Sequence, residues 1–371
     1  MDLKELRGQI DSIDNELLEL YAKRMELCLQ VAEYKAKNKV SVMQSGREKE
    51  ILDRVQALSP ERFSTGAEVL FTDIMDISKS YQDFEINRSS DFEEYGDFAF
   101  DIGSRIGCYG VKGSNSEEAA FKIFGKRKMA YYHEFEDIFK AVESGELDYG
   151  VVPVQNSNTG SISQTYDLMK KYNVYINRMT RVSVNHCLAS SNAASVSDVK
   201  TVYSNPQAIM QCSDFLQEND LRAVQFASTA ASAKYAAKSE RKIAAICSER
   251  CARLYKLNIL AKNISNSEQN FTRFICISGK FLKEKDADHI SVQLSLPDEK
   301  GSLSRMLTKF RVAGLNLLKL ESRPQKKGNF DVDFYLDFEG STSDEKVAAL
   351  LKALSTGLSD FKFLGNYSEI Y

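Results

Sequence analysis

The sequence has no tryptophan, and only five prolines and three histidines in 371 residues. His133, His186 and His289 are too few and too scattered for a zinc site of the usual His/Cys kind, so no metal is expected. Nowhere do about eighteen apolar residues run together, so no membrane-spanning helix is expected. The opening residues Met1-Asp2-Leu3-Lys4-Glu5 have no apolar signal core, which points to a cytoplasmic chain. Neither GxGxxG nor GxxxxGKS/T occurs, which excludes phosphate cradles of those two types and the cofactors they hold. Charge of one sign is also lacking. With 49 Lys+Arg against 52 Asp+Glu, the net charge of −3 gives no electrostatic reason to expect nucleic acid or a membrane surface as partner. Seven cysteines in so long a chain read as reduced thiols. Cys247 and Cys251 are spaced as one helical turn.

What is present is globular: 43% hydrophobic and 27% charged residues, enough chain for two or three domains. Residues 1–84 read as helical. Leu3, Leu6, Ile10, Ile13, Leu17, Leu20, Leu27, Val31 and Tyr34 follow a 3-4-3-4 spacing. That is a heptad seam on a helix of roughly 33 residues, or roughly 50 Å. Two shorter helices, about 47–58 and 66–84, cover only part of such a seam, so an intertwined homodimer is expected. Arg24 interrupts the seam, and Arg7 and Lys35 flank it. A charge within a helical core is costly unless paired, so these cations call for an anion, from nearby acids or from a dianionic ligand.

Residues 85–103 are acidic and aperiodic and read as a linker. From Arg105 to about Gly279, short apolar runs such as 105–109, 149–154 and 201–203 alternate with helices, an α/β pattern. From His289 the order is strand (Ile290, Val292, Leu294, Leu296), helix (Gly301–Ala313), strand (Leu315–Ser322), turn (Gln325–Asn329), strand (Phe330–Phe338), helix (Val347–Leu358) and strand (Phe361–Phe363). This βαββαβ order is the ferredoxin-like motif.

Particular residues then carry a resemblance. Arg7, Arg24, Lys35, Arg47, Glu48, Ser78 and Gln82, spread over some 75 residues, coincide with the pattern by which the all-helical chorismate mutases hold chorismate. The resemblance implies that Arg7 (from a partner subunit), Arg24 and Arg47 clamp two carboxylates, that Lys35 and Gln82 donate to the breaking ether oxygen, and that Glu48 and Ser78 complete the site. Gln44 stands where the family commonly has an acid near the substrate hydroxyl. The rearrangement needs no proton transfer, so positioning, worth ~7–11 kcal/mol, and charge stabilisation are what an enzyme can add.

Six elements from Gly110 to Phe274 look like prephenate dehydratase. They are Gly110–Ser116, Gly150–Ser157 with Gly160-Ser161-Ile162, His186-Cys187-Leu188, Ser204–Ala208 with Gln211-Cys212, Ser228-Thr229-Ala230, and Asn270–Phe274. The resemblance implies two α/β lobes around a cleft, similar to periplasmic binding proteins, with Ser114, Asn156, Ser157, Thr229, Thr272, Arg273 and Phe274 around prephenate. Thr272 would protonate or hydrogen-bond the leaving hydroxyl, and Arg273 would pair with a substrate carboxylate. Asn115 and Gln155 depart from the family's usual aromatic and Glu.

The last 83 residues look like an ACT module. Gly301-Ser302-Leu303 and Glu321-Ser322-Arg323-Pro324 match its two phenylalanine-binding motifs, and Asn316 is a further candidate. The whole chain therefore resembles the bifunctional chorismate mutase/prephenate dehydratase family. The fold expected is multidomain: all-α over 1–84, a linker over 85–103, two-lobed α/β over 104–280, and ferredoxin-like α+β over 288–371. The resemblance implies a homodimer or dimer of dimers that needs no cofactor and is inhibited by L-phenylalanine. The departures at Asn115 and Gln155 leave one alternative: an active mutase fused to a catalytically decayed aromatic-acid sensor. A prephenate dehydrogenase fusion is disfavoured by the missing nicotinamide fingerprint.

Overall fold

A computed structural model describes residues 2–38, 45–88, 92–267, 269–324 and 332–371. Proline-free and rich in good helix formers, the N-terminal stretch forms α1 (Leu3–Asn38), followed by α2 (Ser45–Leu58) and α3 (Ser64–Asn87). The seam residues Leu3 to Tyr34 do not face α3. They remain 44–65% exposed. A second stripe one step around α1 turns inward instead: Met25, Ala32 and Lys35 are buried, with Tyr21, Arg24 and Cys28 half-buried. Their spacing of three and four keeps them on one helix face, and this face meets α3.

Contacts divide the chain into two units, residues 1–94 with 288–363, and residues 95–287 with 364–371. In the first unit α3 also packs against helices Ser302–Ala313 and Glu345–Gly357. Lys309 pairs with Asp83, and Arg88 reaches Glu345 at 3.9 Å. The two helices cover a sheet ordered Leu317–Pro324, Val332–Glu339, His289–Ser295, Phe361–Ile370. Ile290, Val292 and Leu294 bury one face of it with Leu336, Phe338, Phe310 and Leu350. Strand alternation therefore puts Ser291, Gln293 and Ser295 on the other face. The expected turn 325–329 lies outside the described residues.

Among the described residues, the second unit has two large sheets besides a two-stranded one. In the first lobe Tyr175–Ser183, Phe271–Ser278, Tyr149–Asn156, Ile106–Tyr109 and Ala130–Tyr132 lie side by side. Helices Asn115–Phe124, Phe135–Glu143 and Ser163–Lys171 accompany them. The second lobe orders Asn258–Ala261, Cys187–Ser190, Ile243–Cys247, Thr201–Ser204 and Arg222–Gln225. The chain crosses between lobes near 184–186 and again between 262 and 270.

Two expectations change. The stretch 85–103 is not all linker: it begins inside α3, and Gly96–Asp97 pairs with Leu282–Lys283. Phe98 and Phe100 pack against Phe124, with ring centroids 6.4 and 5.0 Å away. Isolated aromatics among acids carry no periodicity, so a pattern reading passes over them. Cys247 and Cys251 do not share a helix. Cys247 ends a strand, and Cys251 sits in Glu249–Leu254 after the Ser248 cap. All seven cysteines are free, and every one but Cys28 is buried.

Candidate active sites

The helical site is built where the inward stripe of α1 crosses α3. Arg24 Nη1 donates to Ser78 Oγ, and Ser78 Oγ donates to the Ile74 carbonyl at 2.7 Å. Three turns further along α1, Lys35 Nζ donates to Gln82 Oε1 at 3.1 Å. Lys35, Ser78 and Gln82 are all buried. Burial holds the Lys35 ammonium below the usual lysine pKa. Because Gln82 Oε1 accepts from Lys35, its Nε2 is left as a donor. Glu48 of α2 joins through Lys79, whose Nζ lies 3.1 Å from Glu48 and 2.8 Å from the buried Asp76. Lys79 and Asp76 were not among the expected residues. Their signal, an i, i+3 pair beside Ser78, is indistinguishable in sequence from a solvated helix pair.

Two expected cations stay apart. Arg7 is exposed and lies nearly five turns before Arg24, roughly 25 Å along one helix. One small ligand cannot touch both from the same chain. Arg47 is exposed and pairs with Glu50 at 2.8 Å. Gln44 lies outside the described residues.

In the second unit, strand register puts Thr272 opposite Asn156 and Arg273 opposite Gln155. Asn156 Nδ2 donates to Thr272 Oγ1 (3.0 Å), Asn270 Oδ1 (2.8 Å) and the Phe271 carbonyl (3.1 Å). Its Oδ1 accepts from the Asn158 and Thr159 N–H groups at 3.1 and 3.2 Å. Ser157 locks the same corner: its N–H donates to the Phe271 carbonyl at 2.8 Å, and its Oγ accepts from the Phe271 N–H at 3.0 Å. Asn270 Nδ2 continues the network to Gln211 Oε1 at 3.2 Å, and His186 Nε2 meets the same oxygen at 3.1 Å. Burial lowers the His186 pKa, which favours the neutral ring. Gln207 Nε2 donates to Thr159 Oγ1 at 3.2 Å. Thus one helix of the second lobe, Pro206–Gln211, meets the first lobe through two glutamines on one face. Asn270, Gln211 and His186 belong to the quoted motifs, but their roles emerge only from this chain of contacts.

Two corrections follow from the register. Adjacent strand residues point to opposite faces, so Arg273 does not share a face with Thr272. Arg273 instead binds the buried Glu369 through Nε and Nη2, both at 3.2 Å. The expected contact with a substrate carboxylate is replaced by one with a protein carboxylate. Phe274 is 2% exposed and packs in the core with Ile106, Cys108, Ala119 and Val151. It lines no cleft. Gln155 is on the Arg273 face, its Oε1 accepting from Nη1 at 3.4 Å.

Ser114 and Thr229 begin helices. Ser114 caps Asn115–Phe124 by accepting the Glu117 N–H at 3.2 Å. Thr229 is the first residue of Thr229–Lys238, capped by Ser228. Beside Ser114, the buried Glu117 accepts from Arg250 Nη2 of the second lobe at 2.6 Å, from Tyr131 Oη and from the Gly113 N–H at 2.9 Å. Gly113, at φ +92°, is pressed so near Leu254 and Cys251 that a Cβ would lie 3.0 and 3.1 Å from them. Among the described residues no cluster suits a metal ion, and no helix is long and apolar enough to cross a membrane.

In the ferredoxin-like module, Gly301 takes φ +80° at the start of helix Ser302–Ala313. Arg305 Nη2 donates to Ser302 Oγ at 3.0 Å, and Nη1 to the Lys300 carbonyl at 2.9 Å. Leu303 is half-buried and Asn316 exposed; the Asn316 carbonyl accepts the Glu339 N–H at 3.0 Å. On strand Leu317–Pro324, Glu321 and Arg323 share a half-buried face with Lys319, and Ser322 faces outward. Lys319 lies 3.1 Å from Glu321.

Comparison with known proteins matches residues 6–83 to the family model of chorismate mutase type II and residues 106–281 to that of prephenate dehydratase. The bifunctional chorismate mutase/prephenate dehydratase of Aquifex aeolicus is 33% identical, with 99% of this chain and 98% of that protein covered. The protein of the same name from Escherichia coli K12 is 30% identical, covering 98% and 96%. Among solved structures, the prephenate dehydratase of Arthrobacter aurescens in complex with L-Phe matches 71% of this chain and 90% of its own, at TM-score 0.65 and 29% identity.

Proposed function

Because the chain belongs to the bifunctional chorismate mutase/prephenate dehydratase family, we propose that its helical region rearranges chorismate to prephenate and that its α/β region converts prephenate to phenylpyruvate. The observation that carries the first half is the Lys35–Gln82 pair beside Arg24. Lys35 Nζ and Gln82 Nε2 donate to the ether oxygen as its C–O bond lengthens, a stabilisation felt more in the transition state than in the ground state. Arg24, with Arg7 of a partner subunit, holds the carboxylates. The reach of α1 and its uncovered apolar seam support a homodimer, or a dimer of dimers built from it.

In the α/β region Thr272 Oγ1 serves the leaving hydroxyl. As the ring carboxylate departs as CO2, the C–O bond breaks, the hydroxyl takes a proton and leaves as water, and the ring becomes aromatic. A threonine is a weak acid, so Thr272 works as an oriented hydrogen-bond donor in a relay. Asn156, donating to Thr272 Oγ1, frees the threonine proton to point elsewhere. The reading of a decayed sensor loses one of its grounds, since Gln155 faces away from Thr272. The C-terminal module is read as an ACT domain that binds phenylalanine near Gly301-Ser302-Leu303 and Glu321-Ser322-Arg323, with the cytoplasm as the site of action. Paired assays test the whole: prephenate from chorismate, phenylpyruvate from purified prephenate, each with and without phenylalanine. Absence of phenylpyruvate would overturn the dehydratase half.

A further inference from the structure

The last residues of the chain follow the ferredoxin-like module in sequence but belong to the dehydratase unit. Ser368–Ile370 pair in parallel with Arg178–Thr180, on the strand next to the one that carries Thr272. Gly365 makes this approach possible. A Cβ there would lie 2.1 Å from the Ile176 carbonyl oxygen, and its φ is +144°. Thr180 Oγ1 donates to the Ile370 carbonyl at 3.0 Å. Arg181 stacks over Tyr371 at 4.1 Å and reaches Glu369 at 3.3 Å. The Glu369 side chain is 3% exposed and faces two guanidinium groups, Arg181 and Arg273.

This arrangement lies behind a weak point. Strand Phe271–Ser278 loses register with Tyr149–Asn156 between Arg273 and Phe274, and Phe274 falls opposite Pro153. A bulge disrupts the ladder locally, and proline has no N–H to donate. On the Tyr149–Asn156 side the backbone ladder is therefore interrupted just past Arg273, while the ladder to Tyr175–Ser183 runs in register from Phe271 to Cys276. Side chains supply what the ladder lacks: Gln155, Arg273 and Glu369 form a chain on the face opposite Asn156–Thr272. Charge-assisted, two-pronged contacts are the strong kind.

We propose that Glu369 is a positioning residue of the dehydratase reaction, acting through Arg273 to hold Thr272 in register with Asn156. The proposal rests on the dehydratase reading above. Its test measures phenylpyruvate formation, mutase activity and thermal midpoint in the full-length protein. Glu369→Gln is expected to lower dehydratase kcat about tenfold, with KM for prephenate, mutase activity and thermal midpoint little changed. Glu369→Asp should recover part of the loss. The double variant Glu369→Gln/Arg273→Gln should be no slower than Arg273→Gln alone, because both break one contact. Unchanged kcat in Glu369→Gln, losses that multiply in the double variant, no recovery with Asp, or a matching fall in mutase activity and midpoint would each overturn the proposal. A wild-type protein that makes no phenylpyruvate would instead overturn the dehydratase reading, and this proposal with it.

Discussion

Lys35 Nζ donates to Gln82 Oε1 at 3.1 Å, and both side chains are buried between α1 and α3. A lysine in that position fixes which end of the glutamine amide faces a ligand. Burial also pushes its ammonium toward neutrality.

This gives a pH dependence. Only charged Lys35 donates all three hydrogens, and its folded pKa is lowered. Mutase kcat/KM is therefore expected to fall on the alkaline side at a pH below the ordinary lysine value of about 10.4, and Lys35→Arg should abolish that limb. The folded state binds fewer protons at this site than the unfolded chain, so the stability contribution rises as pH climbs from the folded to the unfolded pKa. A mutase pH profile identical in wild type and Lys35→Arg would refute the assignment.

Replacing Asn156 by Asp removes a donor shared by Thr272, Asn270 and the Phe271 carbonyl and sets a carboxylate against their oxygens. Dehydratase turnover should fall a hundredfold or more, in the range of a lost preorganised donor, roughly 2.7–4 kcal/mol. Mutase activity should persist. Thr272→Ala should behave likewise.

The contact between Glu117 and Arg250 spans the two lobes. Arg250→Met leaves a buried carboxylate without its main partner. Such losses cost about 3–5 kcal/mol when both charges are buried, and about 2 kcal/mol is expected here because Arg250 is one-third exposed. Glu117→Gln should cost less than Arg250→Met in urea unfolding, since it removes the charge rather than stranding it.

Gly301→Ala must adopt φ +80° with a Cβ 3.3 Å from Arg305 Nη1. A left-handed alanine costs about 1–2 kcal/mol. Calorimetric titration should show phenylalanine binding weakened at least tenfold, while uninhibited dehydratase turnover is retained.

Charging the α1 seam tests the subunit reading. Leu17→Asp with Leu20→Asp should give a monomer in sedimentation velocity and should remove most mutase activity, as the proposed supply of Arg7 by a second chain requires. A fully active monomer would show that Arg7 is dispensable.

The sequence by itself determined the elements and their order. A 3-4 spacing without proline makes α1, and strict alternation from Val332 to Phe338 makes a strand, because side-chain period follows from backbone geometry alone. Motif spacing likewise pointed to residues that the structure brings together, Arg24 with Ser78, Lys35 with Gln82 and Asn156 with Thr272. What tertiary structure decided is which way each residue faces and what it meets. The inward face of α1 is the mixed stripe from Arg24 to Lys35 rather than the seam, because packing against α3 selects the face whose cations find polar partners in Ser78 and Gln82. Arg273 and Thr272, adjacent in sequence, part company across the sheet because the strand is pleated. Glu369 was invisible to any reading along the chain, since nothing local links it to a residue 96 positions earlier. Only the strand pairing brings the two together.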